Sequence, residues 1–235
     1  MRILLLLAFV IFFNVAFSQE LKFESPDFEK IVLAKYPEID INNNHKIEKK
    51  EAALLKKLDL MEQNLTTAKD VNFFKNLEYL SLTINQLREL KLNDFKQLQE
   101  LYCARNNLTK LEITNMPQLK RLGCGRNELE KVSLVNCPNL ESLNLMDNKI
   151  TALDVSPFKY LKYLSVDANK LKSLDISQNP ELIQFAINDN DISQIDITKN
   201  QKLRMNILYM DDHVKIIGTS EQIKNYKKAP VVIGN

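Results

Sequence analysis

Between Leu55 and Leu203 the apolar residues follow a rhythm that belongs neither to one helix nor to one long strand. LEYLSLTINQL from Leu77, LQELYCARNNL from Leu98, LKRLGCGRNEL from Leu119, LESLNLMDNKI from Leu140, LKYLSVDANKL from Leu161 and LIQFAINDNDI from Leu182 align with an interval that never changes, a 21-residue repeat. An earlier copy, LKKLDLMEQNL, starts at Leu55, one position further upstream than that interval would place it, with Gln63 in place of asparagine. A degraded copy, LRMNILYMDDH, starts at Leu203. A lone amphipathic helix repeats every ~3.6 residues, so this period describes stacked units. Within a unit, positions four and six (Leu80 and Leu82, Leu101 and Cys103, Leu164 and Val166) are apolar between polar neighbours, which predicts a short strand with one buried face. A second apolar set at positions 11, 14 and 16 (Leu87, Leu90, Leu92; Ile150, Leu153, Val155; Ile192, Ile195, Ile197) gives the return side its own buried edge. The period leaves little room for a helix there, so strand-like or 3₁₀ segments are expected. Pro117, Pro138 and Pro180 end the regular backbone near the close of a unit.

The pattern LxxLxLxxNxL resembles the leucine-rich repeat signature, over residues 55–210. The resemblance implies a mainly β, mixed α+β fold: a leucine-rich repeat solenoid with a parallel β-sheet on its concave face and a short helical N-terminal cap. It also implies that the ninth-position asparagines (Asn85, Asn106, Asn127, Asn148, Asn169 and Asn190) turn inward and bond backbone at the bend, a structural role. Each coil buries its apolar set only against its neighbours, so the ends need caps. Stacking at about 4.8 Å per coil predicts a core on the order of 35 to 40 Å long.

Three cysteines are an odd number for a secreted chain. Cys103 and Cys124 share the sixth position of adjacent coils, where other copies carry Leu, Val or Ile. A disulfide would require side chains that point the same way to turn towards each other, so both are expected as free core thiols. Cys137, before Pro138, is expected to be a lone thiol in the return turn.

Upstream, SPDFEKIVLAKY reads as a short amphipathic helix, with Ser25 as N-cap, Pro26 at its first position and Phe28, Ile31, Val32 and Lys35 on one face. KKEAALLKKL reads as a second helix running into the first repeat. Between them DINNNHKIEKKE has the spacing of an EF-hand loop. Asp40, Asn42 and Asn44 fill positions 1, 3 and 5, Lys46 lends its carbonyl at 7, and Glu48 and Glu51 stand at 9 and 12. His45 stands where glycine is usual, in a place that requires positive φ. With only three carboxylates, any calcium affinity is expected at about 10⁻⁴ to 10⁻³ M; the competing reading has Asp40 and the asparagines forming Asx-turns with no ion. Segments of this kind precede the first coil in many bacterial secreted leucine-rich repeat proteins, so the resemblance implies a cap pinned by one calcium-type loop.

Residues 1–18 put Arg2 ahead of an apolar run from Ile3 to Phe13, the layout of a secretory signal peptide cleaved after Ser18. The resulting division is 1–18 signal peptide, 19–54 helical cap, 55–210 repeats and 211–235 C-terminal cap, with ILYMDDHVKIIG and APVVIGN as closing strands. A secreted location, with no stable membrane insertion after cleavage, is expected. Lys plus Arg number 32 and Asp plus Glu 30, a balance that points away from nucleic acid and from polybasic membrane binding. The chain lacks a nucleophile elbow, zinc-ligand spacing and a phosphate-cradling loop, so no enzyme and no required cofactor are expected.

The resemblance implies that a partner binds the concave sheet, through strand positions 3, 5, 7 and 8. Two of only four glycines, Gly123 and Gly125, occupy such positions, and glycine in a strand often marks a close approach. With Tyr102, Arg105, Arg121, Arg126, Asn144, Met146 and Tyr163 they outline a candidate seat. The expected function is recognition of a protein or carbohydrate there. The alternatives are a structural or adhesive envelope component with no discrete ligand site, and an inhibitor of a secreted enzyme.

Overall fold

The computed structural model describes residues 20–204 and 207–228. The signal peptide read in residues 1–18 and the closing strand read in residues 229–235 lie outside the described residues.

The repeated interval becomes a solenoid. One parallel sheet has the order β1 (Lys57–Asp59), β2 (Tyr79–Ser81), β4 (Glu100–Tyr102), β6 (Arg121–Gly123), β8 (Ser142–Asn144), β9 (Tyr163–Ser165) and β10 (Gln184–Ala186). Register never slips: Leu58, Leu80, Leu101, Leu122, Leu143, Leu164 and Phe185 pair in succession and all are buried. A one-residue slip would turn this apolar column to solvent. The return side carries β3 (Glu89–Asn93), β5 (Lys110–Thr114) and β7 (Lys131–Val135) as a second parallel sheet, and β11 (Gln194–Asp196) with β12 (Lys215–Ile217) as a third.

The ninth-position asparagines tie the coils together at the bend. Asn127 donates to the carbonyls of Cys124 (3.0 Å) and Cys103 (3.1 Å) and accepts from the Leu108 amide (3.0 Å). Asn85, Asn106, Asn148, Asn169 and Asn190 repeat this three-way bond. At the 19th position Phe95, Met116, Cys137 and Phe158 give way to Asn179 and Asn200, which begin a second ladder by donating to carbonyls of the preceding coil and the adjoining turn.

At the C-terminal end this bonding is finished by residues beyond the six regular coils. The Asp189 amide, lacking a further carbonyl, donates to Asp211 Oδ2 at 2.9 Å. Gln222 Nε2 donates to Ile197 O at 2.9 Å, from helix α3 (Ser220–Lys228). Thr219 and Gln222 bond reciprocally at the start of α3, a capping box spelled TSEQ. The C-terminal cap therefore holds a helix where only strands were expected.

At the other end helix α1 (Pro26–Lys35) buries Phe28 and Val32 in the common core, with the Phe28 ring against Phe74 (centroids 6.1 Å apart). Ser25 makes no side-chain cap; the buried Asp70 carboxylate accepts the Glu24 and Ser25 amides instead, at 2.7 and 2.9 Å. The second helix, α2, is only Lys49–Ala52, because Leu55 and Leu58 are already committed to the first coil.

Cys103 and Cys124 form a disulfide, against the expectation of two free thiols. In-register parallel strands place their Cα atoms 4.7 Å apart, inside the roughly 4.4–6.8 Å window a disulfide needs. Parallel side chains at this spacing are no obstacle. Cys137 is a buried free thiol, and burial pushes its pKa up. Peptide mapping without reductant should return one linked pair, 103 with 124. Replacing both by valine should lower stability in urea by about 3 kcal/mol against the oxidised protein, from loop closure, and change the reduced protein little. Two alkylatable thiols at 103 and 124 in unreduced protein would contradict the assignment.

Candidate binding face

Because strand side chains alternate, the residues flanking each buried leucine stand on the outer face of the seven-stranded sheet. Gly123 and Gly125 hollow that face. Neither has a left-handed backbone; what they supply is room. A Cβ on Gly123 would lie 2.9 Å from Tyr102 Cδ1, and one on Gly125 2.9 Å from Met146 Cγ and 3.1 Å from the Met146 carbonyl. Tyr102 and Met146 thus lean across the two glycines from the neighbouring coils. The result is a depression of 430 Å³ lined by Tyr102, Ala104, Arg105, Arg121, Leu122, Gly123, Gly125, Arg126, Ser142, Asn144 and Met146. Tyr163 is exposed on β9, outside this lining.

The three arginines differ in state. Arg121 is held by Glu100, whose second oxygen accepts the Tyr102 hydroxyl at 2.9 Å. The hydrogen bond from Arg121 holds the Glu100 carboxyl below the usual carboxylate range, while burial and then Glu100 push the Tyr102 phenol up. The Tyr102 ring in turn packs on Tyr79 (centroids 5.7 Å apart), which lies under the Lys57 ammonium. Arg105 and Arg126 occupy the eighth position, are exposed, and make no ion pair among the described residues.

That eighth position has a property not anticipated from the sequence. Its backbone is left-handed in each coil that contributes a strand to the seven-stranded sheet, at Glu62, Ile84, Arg105, Arg126, Asp147, Ala168 and Asp189, with φ between 51° and 58°. The bend demands it: the Arg105 amide reaches Gly125 O at 3.0 Å and the Arg126 amide reaches Met146 O at 2.8 Å. With no glycine there, no signal marked the turn. A larger hollow of 810 Å³ lies on the return side between Ala68–Asn72 and β3, lined largely by solvated polar chains such as Thr66, Arg88 and Lys91.

In the loop before α2, Asn43 and His45 both adopt left-handed backbone (φ 55° and 59°), so His45 takes the conformation that glycine would supply. Asp40 accepts the Asn44 and His45 amides, Asn42 the Asn44 amide, and Asn44 the Lys46 amide. Glu51 accepts the Ile41 and Glu48 amides and completes a capping box with Glu48. The donors are hard oxygens of the type calcium takes, and each carboxylate oxygen that holds one amide keeps a further lone pair. Among the described residues, however, no three His, Cys, Asp or Glu side chains converge as a metal cluster.

Residues 117–160 match the family model for leucine-rich repeats in two copies. No curated protein matches the chain in sequence. Among solved structures, a leucine-rich repeat protein of Leptospira interrogans is 26% identical with a TM-score of 0.64, over 77% of this chain and 49% of that one. The functional domain of InlJ from Listeria monocytogenes, described as including a cysteine ladder, is 23% identical with a TM-score of 0.52, over 78% of this chain and 49% of that one. A Shigella effector leucine-rich repeat domain is 22% identical with a TM-score of 0.57, over 84% and 92%. The chain thus spans about half the length of the Listeria and Leptospira chains. Sequence period, fold and these likenesses agree that the coils are leucine-rich repeats stacked as a parallel β solenoid.

Proposed function

Starting from a leucine-rich repeat solenoid, we propose that this is a secreted, non-enzymatic recognition module that binds a protein partner on the outer face of its seven-stranded sheet. The observation that carries the reading is the depression over Gly123 and Gly125, walled by the Tyr102 ring and the Met146 thioether. Tyrosine, methionine and arginine are the residue types that interface cores favour. Small residues below, with the Tyr102 ring and the adaptable Met146 thioether beside them, suit an inserted side chain from a partner. Among the described residues no helix is long and apolar enough to cross a membrane.

A calcium ion in the loop at 40–51 is proposed as a weak, structural addition to the cap. It is supported by the left-handed backbone at His45, which removes the steric objection to histidine there. Asp40, Asn42, Asn44, Glu48 and Glu51, with the Lys46 carbonyl, would hold the ion. Bound, it would only lock the turn that precedes α2.

Two outcomes follow. In surface-immobilised binding to protein and glycan arrays, Tyr102→Ala/Met146→Lys should lose at least about tenfold in affinity for any protein ligand found, as expected when central anchors are removed. Arg88→Ala, on the return side, should leave it unchanged. Equal binding by wild type and the double variant would refute the seat. For the loop, millimolar calcium should raise the Tm of wild type and not of Asp40→Asn, and no shift in wild type would end the calcium proposal.

A further inference from the structure

Coil stacking sets charges one repeat apart beside each other, and the chain pairs them by opposite sign. Lys56 meets Glu78, Lys91 meets Glu112, Glu100 meets Arg121, Glu128 meets Lys149, Glu141 meets Lys162 and Glu181 meets Lys202, each pair joining adjacent coils. On the return side Lys110 and Lys131 stack with equal sign, and Glu112 holds Lys110; on the sheet face the like-sign pair is Arg105 and Arg126. They are one coil apart, equal in sign, exposed, and without a side-chain hydrogen bond or ion pair among the described residues. Like charges on neighbouring coils repel each other; Asp147 lies beside Arg126 but not beside Arg105, so an arriving anion relieves the repulsion. Asp154, Asp175 and Asp196 also stack with equal sign, but each accepts a backbone amide two residues on and so has a local role.

The same row reverses sign at the next coil. Asp147 follows Arg126 at the eighth position, Asp189 follows two coils later, and Asp167 stands between them at the seventh. A long polyanion laid along the row would leave the arginines and run onto these carboxylates. A short acidic stretch would not.

We propose that the ligand is an extended segment of a protein partner. It carries a pair of carboxylates beside an apolar side chain and a lysine or arginine about 3 to 5 residues away, given coils stacked at about 4.8 Å and an extended chain rising about 3.4 Å per residue. The carboxylates meet Arg105 and Arg126, the apolar side chain enters the seat between Tyr102 and Met146, and the cation lies over Asp147 and Asp189, since Asp167 is taken up by Ser165 and Asn188. This rests on the sheet-face reading above and adds the ligand's charge order.

Fluorescence anisotropy tests it with labelled peptides about 12 residues long. One has Asp-Glu-Phe followed by lysines, one is the same composition with alternating charges, and one is acidic throughout; a heparin-type oligosaccharide serves as the polyanion. The block peptide should bind best, and Arg105→Glu/Arg126→Glu should weaken it at least about tenfold. Asp147→Lys/Asp189→Lys should switch preference to the all-acidic peptide. Tightest binding of the oligosaccharide by wild type, or no preference among the peptides, or no peptide binding, overturns the proposal. If the arginine variant binds normally while Tyr102→Ala/Met146→Lys does not, the charge rule alone fails. If neither variant matters to a peptide that binds, the sheet-face reading fails with it.

Discussion

The fold depends on pairing backbone groups at the bend where each strand turns back into the coil. There the chain cannot continue a ladder, and water is excluded. One inward asparagine per coil serves two carbonyls and one amide at once, a set of bonds that neither a serine nor an aspartate of fixed charge could supply. Leaving such groups buried and unpaired costs about 1 to 3 kcal/mol each, so the asparagine is what permits a tight turn at this point. The left-handed residue just before it follows from the same geometry, since its amide must reach the next coil.

Once the bend is fixed, the rest is stacking. Side chains at equivalent positions of successive coils become neighbours, which is why leucine columns, charge pairs and the Cys103–Cys124 disulfide all join residues one coil apart. The ends obey the same rule: Asp211 and Gln222 stand in for the coil that does not follow, and Asp70 ties the entering chain. The function proposed here uses the surface this leaves over. Within the ladder, glycine at two outward positions lets neighbouring side chains lean inward, and a hollow forms without disturbing the strands beneath.

What the sequence made legible was what repeats. The period, the strand positions, the inward asparagines and the residues around Gly123 and Gly125 could be read because six copies average out local accident. What it hid was what occurs once or leaves no residue signature. The disulfide is hidden because side-chain direction speaks against it, while coil spacing alone brings two sixth positions within reach. Helix α3 is hidden although TSEQ marks its start, because the apolar residues beyond it read as strand. The left-handed eighth position holds Ile84, Arg105 and Ala168, residues that do not advertise that backbone. Arg121 is named in the sequence as a ligand contact, yet Glu100 already holds it, a pairing visible only when the coils are superposed.

The central claim is that the asparagine bonds hold the bend of every coil, and native-state hydrogen exchange tests it most directly. Amides that donate to asparagine Oδ1 within the stack, those of Leu87, Leu108, Leu129, Ile150 and Leu171, should exchange only through opening of the coils. Protection should be greatest at Leu108 and Leu129 and fall towards the terminal coils, as expected of a chain of nearest-neighbour units. Exchange of these amides as fast as that of exposed return-side turns would contradict the account.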